Sequence, residues 1–154
     1  MPHLRLEVPE EWLREEYKQT TGFDPHKLLD HLVNVVAGLR MPSAANPAEM
    51  VPLINKSNLK HGIVPLHYAH MAGDPNKRFI HVTLAAGNDT PGRTAAVRLH
   101  ASQVLGEEID TFLAQFPAVL AGIGSITMWV QDIDRDRGYS TLQERKKKRD
   151  SQQG

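Results

Sequence analysis

The apolar residues of this chain follow one pattern twice, in the order strand, helix, strand. In the first half, Leu4, Leu6 and Val8 alternate with polar residues, as in a half-buried strand. After a short charged helical turn over Glu10–Tyr17, a helix is predicted with Asp24 as its N-cap and Pro25 at its first position. Its apolar stripe comprises Leu28, Leu29, Leu32, Val35, Val36 and Leu39.

Residues 40–56 contain three prolines and are predicted to form a long loop. A second strand is predicted over Asn58–Tyr68, where Pro65 interrupts the strand or places it at an edge of the sheet. The turn-forming sequence Gly73-Asp74-Pro75-Asn76 then separates the two halves of the chain.

The second half follows the same plan. A strand is predicted over Arg78–Ala86, a loop over Gly87–Gly92, a helix from about Arg93 to Phe116, and a last strand over Ser125–Ile133. Each strand–helix–strand unit requires parallel strands joined by a right-handed crossover. The chain is therefore predicted to be an α/β protein of tandem βαβ units, with a four-stranded sheet and two helices on one face. Because the other face also has apolar side chains, it must be covered, most simply by copies of the same chain.

This pattern also predicts the domain organisation. One domain is expected over residues 1–133, with pseudo-repeat halves over about 1–71 and 77–133. Residues 134–154 are predicted to form a charged, flexible tail, because the basic run Arg145–Arg149 is typical of a solvated chain end.

Composition excludes several classes of function. The 154 residues include no cysteine, which excludes a disulfide scaffold, a thiolate nucleophile and a zinc site built on sulfur. The 18 basic and 18 acidic residues give a net charge of zero, which argues against nucleic acid as a partner, with the basic run in the tail as the one exception. Neither a signal peptide nor a membrane span is visible, so a cytoplasmic protein is expected.

Several segments together resemble a known family. These are Met1-Pro2-His3-Leu4 with the strand that follows, Phe79-Ile80-His81-Val82-Thr83-Leu84, Gly92-Arg93-Thr94 and the last strand over Ser125–Ile133. Their order and spacing resemble the tautomerase superfamily, and within it the 5-carboxymethyl-2-hydroxymuconate isomerases, over most of residues 1–133. The resemblance implies a homotrimeric enzyme that uses no cofactor or metal. It also implies a proton moved across a conjugated enol–ketone system by an amino-terminal proline, which is exposed after removal of the initiating methionine.

The resemblance assigns roles to particular residues. Pro2 matches the terminal proline and is the implied general base. Arg93 matches an arginine in the loop that opens the second helix, and Lys60 stands after Leu59 where the family pattern has an arginine. These two cations are expected to bind the carboxylate of a small unsaturated 2-hydroxy or 2-oxo acid. Gly62 stands at a further position where the family pattern has a basic residue. Arg40, at the end of the first helix, is either a substitute anchor for the substrate or simply pairs favourably with the helix dipole.

Elementary chemistry explains why a terminal proline suits this role. An ordinary α-amino group has a pKa of about 8, whereas a general base works best with a pKa close to the ambient pH. Burial and nearby cations both lower the pKa of an amine, because each destabilises the ammonium form.

Two alternatives remain open at this point. In the first, a protonated Pro2 acts as an acid in hydration or dehalogenation of a 3-halo-acrylate, with Glu7 or Asp132 to activate water. In the second, the chain is a trimeric binding protein that has kept the fold without activity, and the 40–57 insertion fills the pocket. A metal site on His61, His67 and His70 is disfavoured, because strand alternation places His70 on the opposite face. His81 is interpreted as a packing or hydrogen-bonded residue, and Phe79 and Trp129 as interface residues.

Overall fold

A mixed β-sheet with two long helices forms the body of the protein. The computed structural model describes residues 2–87, 91–133 and 142–153, without the side chains of 133 and 142–145. The strands are β1 (His3–Pro9), β2 (Arg40–Pro42), β3 (Met50–Pro52), β4 (Lys60–Leu66), β5 (His70–Met71), β6 (Asp74–Gly87) and β7 (Ile123–Ile133). The helices are α1 (Glu15–Thr21), α2 (Pro25–Gly38), α3 (Ala95–Leu113), α4 (Pro117–Ala121) and α5 (Leu142–Gln153).

The sheet contains the two parallel strand pairs that the two-fold pattern predicts. Its four longest strands lie in the order β4–β1–β6–β7. Strand β1 pairs with β4 in parallel, and β6 pairs with β7 in parallel, whereas the central pair β1–β6 is antiparallel. The predicted α/β class and tandem βαβ units are confirmed. Pro65 lies in the edge strand β4, where the absence of its N–H costs no bond to a further strand.

The core lies between one face of the sheet and helices α2 and α3. Alternate residues of the central strands point into it, namely Leu4, Leu6 and Val8 of β1 and Ile80, Val82 and Leu84 of β6. Each such buried side chain stabilises the fold by about 1.5–3 kcal/mol relative to an exposed one. The odd-numbered residues of β1 point to the opposite, open face, where Arg5 is exposed and His3 and Glu7 are half-buried.

The start of α2 was predicted correctly from the sequence. The side chain of Asp24 accepts a 3.0 Å hydrogen bond from the backbone N–H of His26, and Pro25 opens the helix. The first helical segment is longer than predicted, because a 3₁₀ turn over Glu10–Leu13 is followed by α1.

The prediction of a long loop over residues 40–56 was wrong. This segment contains the antiparallel hairpin β2–β3 and, after it, a 3₁₀ turn over Lys56–Asn58. Pro42 and Pro52 lie at the ends of these short strands, opposite Met50 and Arg40, where proline is compatible with an isolated two-stranded ladder. The sheet also has a fifth, very short strand, because β5 pairs with the extended start of β6.

Parts of the sequence predictions fall on residues outside the description. These are Met1, residues 88–90 of the predicted Gly87–Gly92 loop, and residues 134–141 and 154 of the predicted tail. The rest of the tail includes α5, whose described side chains, 146–153, are exposed; its flexibility stays a prediction. In the described part of the chain, no helix is both long and apolar enough to span a membrane.

Candidate functional site

Pro2 and Lys60 lie side by side where the sheet begins. Pro2 is buried directly before β1, and its carbonyl oxygen accepts a 3.0 Å hydrogen bond from the backbone N–H of Lys60. In the parallel register of β1 and β4, Lys60 lies opposite His3. Because the two strands are hydrogen-bonded from this point onward, the position of Lys60 relative to Pro2 is fixed by the sheet.

Arg93 lies at the same end of the sheet. Its Nη1 donates a 2.9 Å hydrogen bond to the carbonyl oxygen of Gly87, and its Nε donates a 3.0 Å bond to that of Leu53. His3 pairs with Ala85 in the antiparallel register, so one further step puts Pro2 opposite Ala86, the neighbour of Gly87. Pro2, Lys60 and Arg93, which the resemblance singled out separately, therefore converge on one end of the sheet.

A groove of about 440 Å³ opens beside this point on the open face. It is formed by β1, β4 and β6, and among the described residues that line it, those with ionisable side chains are all basic: His3, Arg5, Lys60 and His61. Gly62 lies in its wall, and a Cβ added there meets no atom within 4 Å, so the missing side chain leaves open space. A groove with this lining is suited to an anionic ligand.

The pKa of His3 reflects the positive charges around this groove. Burial first, and then the positive charges of Lys60 and Arg5, lower the pKa of His3 below its ordinary value of 6.5. Each of these causes destabilises a cation.

A second cavity, of about 570 Å³, is lined by Arg93, which is not among the described residues that line the groove. Arg40, Lys56 and Arg93 line it together with Leu53, Ile54 and Asn55. Arg40, the alternative anchor, thus shares a cavity with Arg93. Lys56 was not singled out from the sequence, because no pattern in a proline-rich segment marks it; its Nζ lies 3.4 Å from Oδ1 of Asn34 and donates to it.

The carboxylates considered for activating water both lie beside basic side chains. Glu7 lies 3.4 Å from Nδ1 of His81, and Asp132 lies 3.2 Å from Nη1 of Arg98. His81 lies on the open face and packs on Phe79 with ring centroids 5.0 Å apart. Trp129 is 66% exposed.

The three clustered histidines have separate surroundings. His67 lies 2.9 Å from Oε1 of Glu10, and Nδ1 of His70 lies 3.2 Å from the carbonyl oxygen of Pro75, whereas His61 lines the groove. Among the described residues, no group of three or more histidine, aspartate or glutamate side chains has the arrangement of a metal site.

Comparison with solved structures identifies the architecture. A 5-carboxymethyl-2-hydroxymuconate delta-isomerase superposes with a TM-score of 0.63 at 16% identity, over 92% of this chain and 87% of that one. The chain has the tautomerase fold. A 5-carboxymethyl-2-hydroxymuconate isomerase from Deinococcus radiodurans R1 gives a TM-score of 0.59 at 20% identity, over 91% and 88% of the two chains.

A fused 4-OT symmetric trimer also shares the tautomerase fold, with a TM-score of 0.52 at 12% identity, over 91% and 92% of the two chains. No family model and no curated protein matches the sequence. Within this fold, the candidate site lies where β1 begins.

Proposed function

We propose that this chain is a cofactor-independent isomerase that moves a proton in a small unsaturated 2-hydroxy or 2-oxo carboxylate, with Pro2 as the general base. The observation that supports this most strongly is the buried position of Pro2, hydrogen-bonded to Lys60 beside a groove whose described ionisable residues are all basic. The shared fold of the isomerases supports the reaction class.

The mechanism requires removal of Met1, which a small second residue permits. The nitrogen of Pro2 then changes from an amide to a secondary amine. Burial and the neighbouring cations lower the pKa of this amine, so that a substantial fraction is neutral at pH 7. Since the proline ring is attached directly to β1, the sheet fixes the direction of the lone pair.

The proton transfer has two steps. The neutral nitrogen first takes the proton from the hydroxyl group of the 2-hydroxy substrate; the O–H bond breaks, an N–H bond forms, and a dienolate remains. The protonated amine then returns the proton to a carbon of the conjugated system, which leaves the 2-oxo product and a neutral base. The same base acts in both directions.

Lys60 and Arg93 bind the substrate carboxylate and stabilise the negative charge of the dienolate. Lysine is a point charge, whereas arginine forms a planar fork, so the two cations have different geometric requirements. Since Arg93 is held by Leu53 and Gly87, it acts as a fixed positive charge that needs no reorganisation as the dienolate forms.

The open face of the sheet supports a homotrimer. Trp129 is exposed, and Phe79 and His81 lie half-buried on the strand beside it. We propose that copies of the chain cover this face and close the groove against water. The fused 4-OT structure of the same fold is a trimer.

Two observations favour this function over its alternatives. Glu7 lies five residues after Pro2, roughly 16 Å along an extended strand, and is engaged by His81, so it is badly placed to activate water beside Pro2. The residues of the 40–57 insertion do not line the groove, so the insertion does not fill it as the binding-protein alternative requires.

The test compares Pro2→Ala, and a variant with one alanine inserted before Pro2, with the native chain. Ketonisation of a phenylpyruvate-type enol is followed after mass spectrometry has confirmed removal of Met1. We expect both changes to lower kcat by about 10²–10⁴-fold, the usual contribution of a general base. Pro9→Ala, at the other end of β1, is the matched control and should retain the native rate. Equal rates in all four proteins reject the role of Pro2.

A further inference from the structure

Arg98, one turn into α3, joins the end of β7 to the candidate site. Its Nη1 donates a 2.7 Å hydrogen bond to the backbone carbonyl oxygen of Arg93 and lies 3.2 Å from Oδ2 of Asp132. Asp132 pairs with Ala86 in the β6–β7 register, and Ala86 is the residue opposite Pro2. Through these two contacts, Arg98 links the backbone of Arg93 to β7, next to the C-terminal end of β6.

The residue before Arg93 is also confined. Gly92 has a φ of +93°, a conformation that favours glycine, and a Cβ at this position would lie 3.0 Å from the carbonyl oxygen of Pro42. The hairpin β2–β3 thus packs against the loop from one side. From the other side, Arg98 holds the carbonyl group of the next residue.

The side chain of Arg93 depends on this placement of its backbone. Its guanidinium spans from the carbonyl oxygen of Leu53, after the hairpin, to that of Gly87, at the end of β6. These acceptors belong to two separate segments, so a shift of the Arg93 backbone alters both hydrogen bonds together. A guanidinium can also donate to a carboxylate and a carbonyl group at the same time, which explains why an arginine serves at position 98.

We propose that Arg98 is a positioning residue that fixes the guanidinium of Arg93 for binding of the substrate carboxylate. This inference rests on the proposed function for its kinetic consequence, but not for its structural one. Arg98 touches no reacting atom; it acts through Arg93, and Asp132 acts through Arg98.

The kinetic test is a double-mutant cycle between Arg98→Met and Arg93→Gln. We expect Arg98→Met to lower kcat/KM about 10-fold, mainly through KM, because a small misplacement of a binding group has a large effect. Arg93→Gln should then cost much less in the Arg98→Met background than in the native chain. Lys27→Met, which removes one exposed cation from α2, is the matched control and should leave kcat/KM unchanged. Fully additive effects of the two substitutions overturn the proposal.

A second measurement is independent of activity. The Nε–H of Arg93 gives its own signal in a proton–nitrogen correlation spectrum, and its hydrogen exchange is slowed by the bond to Leu53. We expect this exchange to become at least about 5-fold faster in Arg98→Met, the effect of losing roughly one hydrogen bond, and to stay native in Lys27→Met. Asp132→Asn should cause a smaller change in the same direction, and it replaces Arg98→Met if that variant fails to fold. Unchanged exchange in Asp132→Asn and Arg98→Met overturns the proposal, even if the chain is an active isomerase. Conversely, full activity of Pro2→Ala rejects the proposed function and leaves the exchange result standing.

Discussion

The backbone N–H of Lys60 donates a 3.0 Å hydrogen bond to the carbonyl oxygen of Pro2, directly before the two strands begin their parallel pairing. A side-chain contact can be lost by a rotamer change, but this bond is lost only if the start of the ladder opens. The positive charge of Lys60 is therefore attached to a backbone position that the sheet fixes relative to Pro2.

Replacement of Lys60 tests its role in binding. Lys60→Met should lower kcat/KM by about 10–100-fold, because hydrogen bonds to charged groups are worth about 1.5–3 kcal/mol. Lys60→Arg should retain or raise it, since a guanidinium binds a carboxylate through two bonds. Steady-state kinetics on the same enol substrate measures both variants. A native value in Lys60→Met means that this cation does not contact the substrate.

The same substitution has an effect on His3 that needs no substrate. Burial and then Lys60 and Arg5 lower the pKa of His3, so Lys60→Met should raise this pKa toward 6.5 without restoring it fully. NMR titration of the imidazole signals measures the change. If the pKa of His3 is the same in both proteins, the positive charge of Lys60 does not act on this end of the sheet.

The lowered pKa of His3 also predicts a pH dependence of stability. The unfolded chain binds a proton at His3 near pH 6.5, whereas the folded chain binds it only at lower pH. Stability contributed by His3 should therefore fall as the pH drops from 6.5 through the folded pKa. Urea denaturation across this range should show a weaker pH dependence in His3→Gln. A native pH dependence in that variant contradicts the prediction.

Asp24 gives a second prediction of how stability depends on pH. Although burial raises the pKa of Asp24, hydrogen bonds from the backbone and side chain of His26 and the charge of Lys18 lower it overall below 3.8. Asp24→Ala should cost about 1 kcal/mol of unfolding free energy at pH 7, as for other N-caps. The loss should disappear as the pH falls through the folded pKa, because Asp24 then becomes neutral in the native chain as well. Urea denaturation at pH 7 and at pH 2–3 measures both values, and Asp30→Ala, within the same helix, is the control.

Assembly through the open face is tested by its exposed tryptophan. Sedimentation equilibrium should give three times the chain mass for the native protein. Trp129→Glu places a charge on this face and should shift the equilibrium toward the monomer, because burial of an unpaired charge is costly. Met50→Glu, at an exposed apolar position of β3, is the matched control and should leave the assembly unchanged. A monomeric native protein contradicts the proposed trimer.

Local patterns were sufficient to predict the sheet and both long helices. The alternation of Leu4, Leu6 and Val8 describes a strand with one buried face, and Asp24-Pro25 marks a helix start through backbone chemistry alone. These features depend on neighbouring residues, so they can be read from the sequence. Parallel pairing within each βαβ unit follows from the crossover, whereas the antiparallel pairing of β1 with β6, which joins the two units, was not predicted.

Features that depend on distant contacts could not be predicted in this way. The hairpin β2–β3 was missed because its prolines are typical of loops, and its short strands have too few residues to show alternation. The hydrogen bond from Arg93 to the carbonyl oxygen of Leu53 joins residues 40 positions apart, and no sequence pattern around either residue indicates the other. Lys56 and Arg98 were missed for the same reason, since their neighbours come from other elements. Pro2, Lys60 and Arg93 were found only through resemblance to a family.

The pKa of the Pro2 nitrogen tests the central claim most directly. Protein labelled with ¹⁵N-proline, and shown by mass spectrometry to lack Met1, is titrated by NMR, with the Lys60→Met variant in parallel. We predict a pKa near 6–7, below the value of about 8 for an ordinary terminal amine, and a higher pKa in Lys60→Met. A pKa near 9, or a terminal nitrogen that does not titrate because it is blocked, would contradict a neutral proline base at this end of the sheet.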